Sequence, residues 1–465
     1  MKLVNSGAGS GKTTSLADII IEREAESSSK SHVFVIAYSN YAADVIKTRL
    51  TSAMTADIQN IHFSTIHSFL WNYIIEPYYF LLFGIQFISV SNSKLSSDNK
   101  LRASKLKQMR TDGILHVSEF ARISKQVVKG RKAATKHEKS MRSVILDHLS
   151  NLIGAIYVDE AQDMDQDTAD ILEVLNNTGI FCYLMGDVNQ DLHARNGFRS
   201  LIENNQQNIT LNKENHRCPQ LHVELSNRYL PYEQVSTSEV KGKLGYVLEK
   251  DCNLQQIMEE FSDGLVYISK SIRSFKVHKS TNIEVFEQLE YILRKYHVIV
   301  PTYSDINSQA SKKWAFDVAH LVLEAIRSRV SIRDIVNRLI KKLQQTYSPK
   351  LYAQLINSVK EIDSQGNNAN GFPVLSIEGV KGNQANNCLL IMSTDLFRVL
   401  IGEHKKANST TNLLYVGLTR STNKLLIMLT KEVSEHYSEK EIKNKLEALG
   451  IKVWPHLFVN EVNIK

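Results

Sequence analysis

Cysteine is scarce in this chain of 465 residues: Cys182, Cys218, Cys252 and Cys388 stand far apart. They form no CxxC pair and no metal-ligand spacing. That argues against a disulfide framework or a zinc scaffold and leaves reduced, buried thiols in a cytoplasmic protein as the expectation. No signal peptide precedes the first glycine-rich loop, and no internal repeat recurs at a fixed period. Long apolar runs are almost lacking too. Phe69 to Val90 is long enough to span a bilayer, but Asn72, Glu76, Pro77 and Gln86 interrupt it. Pro77 should break a helix there, so a buried helix, a turn and a second apolar segment are expected, with no membrane partner.

What is present bounds the fold. The length suggests roughly two to four domains. Hydrophobic residues make up 43% and charged residues 23%, the balance of a globular protein. Short apolar runs without polar alternation, His32 to Tyr38, Ala155 to Ala161 and Phe181 to Asp187, read as buried parallel strands. Helical patterns such as AADVIKTRL and DTADILEVLNN follow them. This alternation indicates an α/β doubly wound core. Gly264 to Ser269, His297 to Tyr303, Asn387 to Ser393 and Lys424 to Leu429 suggest a second α/β lobe, and Asp363 to Pro373 reads as a loop.

The net charge of +7 is unevenly placed. Ser91 to Arg142 holds 14 Lys or Arg against 4 Asp or Glu, so this one segment exceeds the whole chain's positive balance. Phosphate contact through Lys125, Lys129, Arg131 and Lys132, a solvated helical face, or docking on an acidic protein are the readings it allows.

The chemistry begins at SGAGSGKT, Ser6 to Thr13. It departs by one residue from the common GxxxxGK[ST] pattern. Gly7, Gly9 and Gly11, with Ala8 and Ser10 between them, let backbone N–H groups crowd around phosphate oxygens. A helix starting near Lys12 points its positive end at the same place. Lys12 reaches the β and γ phosphates, Thr13 binds Mg²⁺, and Thr14 follows on the first helical turn. YVDEAQD places Asp159 at a strand's C-terminal end, where it can hold Mg²⁺, beside Glu160, which can deprotonate the attacking water. GDVNQ repeats the pattern, and the amide of Gln190 can sense the γ-phosphate. Arg217 and Arg420 supply the positive charge that phosphoryl transfer needs.

In order, the chain shows SGAGSGKT, AYSNYAA (Ala37 to Ala43), STIHSF (Ser64 to Phe69), VDEAQD, GDVNQ, ENHR, VKGNQ (Val380 to Gln384) and YVGLTR. This series resembles the motifs of superfamily 1 helicases of the UvrD, PcrA and Rep type, over roughly Met1 to Ile75 and Leu146 to Leu429. The resemblance implies two RecA-like P-loop NTPase lobes with helical insertions. The first lobe would comprise residues 1–75 and 146–212, a basic helical insertion 76–145, the second lobe 213–303 and 373–465, and a reduced accessory insertion 304–372. ATP and Mg²⁺ would lie between the lobes, with Arg217 and Arg420 reaching the γ-phosphate, His216 at the adenine and Gln384 near the ribose. Single-stranded DNA, or DNA with single-stranded ends, would cross Tyr38, Asn40, Thr65, His67, His193 and Lys381, stacking its bases in a sequence-tolerant way. The implied activity is an ATP-dependent 3′ to 5′ translocase or helicase. Compact UvrD-like proteins also occur beside a partner nuclease in phage-defence systems such as Gabija, which gives the alternative of a DNA-sensing regulatory ATPase. The glutamine motif that reads adenine upstream of the loop has no room ahead of Ser6. Loose base selection is therefore expected: kcat/KM for GTP and ATP should agree within about tenfold, and a preference for ATP beyond about a hundredfold would sink that expectation.

Overall fold

Strand formation follows the buried apolar runs. Val33 to Ala37 and Ala155 to Val158 are almost wholly buried, with alternate side chains facing opposite sides. The computed structural model describes residues 1–26, 31–38, 40–53, 60–272, 274–275, 277, 289–290, 292–293, 309–328, 330–343, 348–366, 374–403 and 409–454.

The first sheet comprises β1 Lys2–Ser6, β2 His32–Ala37, β3 Ile61–Thr65, β4 Ile153–Val158, β5 Phe181–Gly186 and β6 Ile209–Asn212. All run parallel, in the order β3-β2-β4-β5-β1-β6. The helices Lys12–Glu26 and Asn40–Ala53 cover one face through Leu16, Ile20, Ile46 and Leu50 against Val4, Val35 and Tyr157. Phe34, Ile36, Ile156 and Leu184 are buried on the other face.

The second sheet comprises β7 Lys243–Leu248, β8 Leu265–Ile268, β9 Leu375–Ser376, β10 Ala385–Met392, β11 Ser421–Leu429 and β12 Lys452–Val453. It too is parallel, in the order β9-β8-β10-β11-β7-β12. Ranked along the chain, both sheets have the same order, third-second-fourth-fifth-first-sixth. These are two RecA-like lobes, and the likeness escaped a search for sequence repeats. One face of the second sheet packs Leu390, Ile427 and Leu414, the other Leu389, Leu426 and Phe261.

The chain divides into two compact units: Met1–Phe83, Ala121–Val277 and Pro373–Lys465 in one, Gly84–Phe120 and His278–Phe372 in the other. The first unit holds both sheets. In the second, helices Gln309–Arg327, Ile332–Lys342 and Pro349–Gly366 share a core of Val322, Val336, Leu339 and Leu355. Ser89–Ser91 pairs in parallel with Ile114–His116, and helix Asn99–Thr111 carries Lys100, Arg102, Lys105, Lys107 and Arg110.

Several expectations need correction. Pro77 does not break the helix. Helical structure runs from Ile66 through Phe83, with a π-helical stretch Trp71–Ile75 just before the proline. There the Glu76 N–H bonds Trp71 O, five residues back, so the ladder has already shifted where Pro77 has no N–H to give. Helix Pro349–Gly366 enters the expected loop at 363, and residues 367–373 lie outside the described residues, as does His297 to Tyr303. Cys252 is half-buried rather than buried, although all four thiols are free. The basic segment is partly neutralised, mostly from outside it: Lys125 meets Asp167 at 2.7 Å and Asp170 at 2.6 Å, Lys129 meets Asp170 at 3.1 Å, and Arg131 pairs with Glu138. Among the described residues no helix is long and apolar enough to cross a membrane.

Gly264 shows how closely the second sheet is drawn in. A Cβ there would stand 2.1 Å from the backbone oxygen of Asn387. Gly264→Ala should cost about 1–3 kcal/mol, since backbone rather than a flexible side chain must move. The urea midpoint checks this, and an unchanged midpoint would show that β8 and β10 separate freely.

Candidate nucleotide-binding site

The loop after β1 is shaped by close contacts as well as by backbone freedom. Gly9 and Gly11 have φ of 70° and 72°, the left-handed region that favours glycine. A Cβ on Gly7 would fall 1.2 Å from Gln234 Nε2, and one on Gly9 2.4 Å from Asn215 Oδ1. Ser10 Oγ donates to Gly7 O at 2.8 Å, closing the turn. Helix Lys12–Glu26 begins at the loop's end, so its N-terminal N–H groups face the same space. Lys12 Nζ donates to Ser6 O at 3.4 Å and Gly7 O at 3.1 Å, folded back over the loop.

Asp159, at the end of β4, is fully buried. Its Oδ2 accepts from Thr13 Oγ1 at 2.8 Å and its Oδ1 from the Glu160 N–H at 2.9 Å. Burial, then the charge of Glu160, pushes its carboxyl up to about 6. Among the described residues Glu160 is one of three non-glycine residues with positive φ, at 52°, a conformation that costs energy and concentrates at functional sites. Burial works against its charge, but Lys12, Lys381, a bond from Gln162 Nε2 and Arg420 outweigh that and hold it below the usual glutamate range.

At the end of β5, Asp187 is fully buried and its Oδ2 accepts from Gln190 Nε2 at 2.9 Å. Arg217 Nε donates to Gln384 Oε1 at 2.8 Å and Nη1 to Thr419 O at 3.3 Å. Arg420, only 1% exposed, donates from Nε to Val416 O at 2.9 Å and from Nη2 to Thr419 Oγ1 at 3.1 Å. Burial, then neighbouring Arg420, lowers Arg217 to about 10, which still leaves it charged at neutral pH. Both guanidiniums are held by carbonyl, amide or hydroxyl oxygens, so their charge is free to meet an anion. The loop residues 9–14, Glu160, Gln190, His216, Arg217, Gln384 and Arg420 all line one cleft of about 1070 Å³. His216 Nδ1 lies 2.6 Å from Thr237 Oγ1.

The residues expected at nucleic acid divide. Tyr38 and Lys381 line this same cleft. The Tyr38 hydroxyl is buried with no hydrogen-bond partner among the described residues, and Lys381 Nζ pairs with Asp163 at 2.5 Å. Thr65 instead caps helix Ile66–Leu70, accepting from Ser68 N at 3.2 Å, and lines a separate cavity of about 510 Å³ with Lys47, Ser64 and Asn72. His67 is exposed and close enough to Arg195 to feel its charge. His193 is exposed on a loop pinned by Asp191, which accepts from the N–H groups of His193, Arg195 and Asn196 at 3.3, 3.0 and 2.9 Å. Asn40 opens helix Asn40–Ala53, and its side chain lies outside the described residues.

Residue-by-residue reading missed the supports. Gln162 donates to Glu160 and accepts from the Asp187 N–H at 2.9 Å, joining two strand ends. Tyr415 sits five residues before Arg420 in the same motif and meets the loop. Gln234 carries no sequence signal at all.

Thr13 Oγ1 and Asp159 Oδ2 are hard oxygen donors beside the phosphate loop, and they fit Mg²⁺ together with phosphate oxygens.

Residues 1–142 match the UvrD/REP helicase N-terminal domain. The matched segment holds β1 to β3, the glycine-rich loop and Tyr38, and ends ahead of Asp159. Across 95% of its length the chain is 22% identical to the Gabija protein GajB of Bacillus cereus (strain VD045), spanning 96% of that protein. A solved complex of arterivirus nonstructural protein 10 (helicase) with DNA aligns with 96% of this chain at 12% identity and a TM-score of 0.36, and the chain spans 62% of that protein's length.

The raised carboxyl of Asp159 has a signed consequence. A folded-state value of about 6 against an ordinary 3.8 means that the folded protein binds this proton more tightly than the unfolded chain. Its contribution to stability is therefore present at low pH and lost as pH rises toward 6 and above. Without Mg²⁺, the stability of Asp159→Asn relative to wild type should grow between pH 4 and 6 and level off above 7, by about 1–3 kcal/mol. Parallel denaturation curves at every pH would contradict it.

Proposed function

We propose that this chain is a nucleic-acid-dependent ATPase of the UvrD-like class that translocates 3′ to 5′ on single-stranded DNA. The observation that carries the proposal is the meeting of Arg217 and Arg420 with the phosphate loop, Glu160 and Gln190 in one cleft.

The chain's own groups account for the hydrolysis. Loop N–H groups and Lys12 bind the β and γ phosphates. Thr13 and Asp159 would hold Mg²⁺, which when bound would supply charge neutralisation at those oxygens. Glu160 takes a proton from the attacking water as the new O–P bond forms and the bond to the ADP oxygen breaks. Its left-handed backbone and the Gln162 bond fix the carboxylate's direction. Gln190, held by Asp187, orients toward the γ-phosphate, while Arg217 and Arg420 stabilise the charge on the equatorial oxygens. Polarity rests on the family resemblance, and a cytoplasmic setting suits the free thiols.

A second reading is favoured by the similarity to GajB and by the absence of a tryptophan on the Asp191–Asn196 loop. In it the chain senses DNA ends and controls a partner nuclease in a phage-defence complex, without processive unwinding. Unwinding of a forked duplex by the isolated chain separates the two.

Glu160→Gln should leave ATP affinity nearly unchanged while DNA-stimulated hydrolysis falls by about 10²-fold or more. Turnover at the wild-type rate would remove Glu160 from the mechanism.

A further inference from the structure

Tyr415 lies on helix Ser409–Leu418 of the second lobe and is wholly buried. A buried tyrosine usually packs its ring and finds one partner for its hydroxyl. Here the hydroxyl has three, and all lie far along the chain. It accepts from the Ala8 N–H of the phosphate loop at 2.8 Å, and it lies 3.1 Å from Asp187 Oδ2 and 3.3 Å from Gln234 Oε1. With one proton to give, the phenol suits the nearer and charged acceptor, Asp187. That same Oδ2 holds Gln190 Nε2.

We infer that Tyr415 is a positioning residue that ties the phosphate loop and Gln190 to the second lobe. The inference rests on the ATPase reading of the cleft and goes beyond it. The loop and Gln190 reach the γ-phosphate from the first lobe, and Arg420 reaches it from the second. Tyr415 is five residues before Arg420 on the helix that leads to it. Any displacement of that helix relative to the loop therefore strains the Ala8 and Asp187 bonds as it moves the arginine. Gln162 extends the connection, since it joins the Asp187 N–H to the carboxylate of Glu160. The second lobe's position thus reaches both groups that handle the attacking water, through hydrogen bonds without a charged partner in the second lobe.

Tyr415→Phe keeps the ring and deletes the hydroxyl. In nucleotide-free protein, exchange of the Ala8 amide should quicken by at least about tenfold. In DNA-stimulated hydrolysis kcat should fall by at least about tenfold while KM for ATP stays within about threefold, because Ser10 to Thr13 still hold the phosphates. A tyrosine that only filled the core would change neither the exchange nor the split. Asp187→Asn, which leaves Tyr415 in place, should reproduce the loss of kcat and guards against a folding defect in the first variant. Unchanged exchange at Ala8 would overturn the tether. Faster exchange with unaltered kcat would overturn its role in positioning. A wild-type chain inactive toward ATP would sink the ATPase reading on its own evidence, while Ala8 exchange would still decide the tether.

Discussion

Every strand of the first sheet points the same way, and the site depends on that constraint. In a parallel sheet all carboxyl ends open on one edge, and ligands collect there. β1 delivers the phosphate loop to that edge, β4 delivers Asp159 and Glu160, and β5 delivers Asp187 and Gln190. Because β4, β5 and β1 are neighbours in the sheet, these groups need only short turns to meet. A one-strand change in order would separate Thr13 from Asp159, which touch at 2.8 Å although 146 positions apart.

The edge is also where charge is hardest to keep. Asp159 and Asp187 are both fully buried, and a buried carboxylate without partners is costly. Each is met differently. Asp159 receives one hydroxyl and one amide, too few to offset burial and the charge of Glu160, so its proton is held tightly. Asp187 receives two bonds at each oxygen, from Asn189 and from Gln190 and Tyr415. The first carboxylate is left needing a cation, whereas the second is a fixed structural anchor.

The sequence made the groups of the cleft legible because each sits in a short local pattern: glycines before a lysine, acids after an apolar strand, arginines after a helix. The buried strands were legible for the same reason, since runs such as VFVI and AIYV lack polar alternation. What stayed hidden is what depends on distant partners. Gln234 lies against Gly7 for packing reasons that no local pattern encodes. Lys125 reads as a phosphate contact until Asp167 and Asp170, on a helix more than forty positions away, are seen to take its charge. Pro77 reads as a helix breaker because local rules assume an unshifted ladder. Tyr38 is legible as an aromatic at the end of a strand, but the burial of its hydroxyl beside the cleft is not.

The identical strand order of the two sheets has a consequence for valency. β1 is followed by glycines and an open loop; β7, its counterpart, is followed by Glu249, which is buried and accepts from the Lys431 N–H at 2.8 Å. At that position the second lobe has a buried carboxyl side chain bonded to backbone, not a glycine-rich loop. On the ATPase reading proposed above, two halves of the same design would share a single nucleotide. One half would grip it and the other would touch it only through arginines, so product release could free the second half while the first still holds. That inequality would give the pair a direction, which two equivalent sites would cancel.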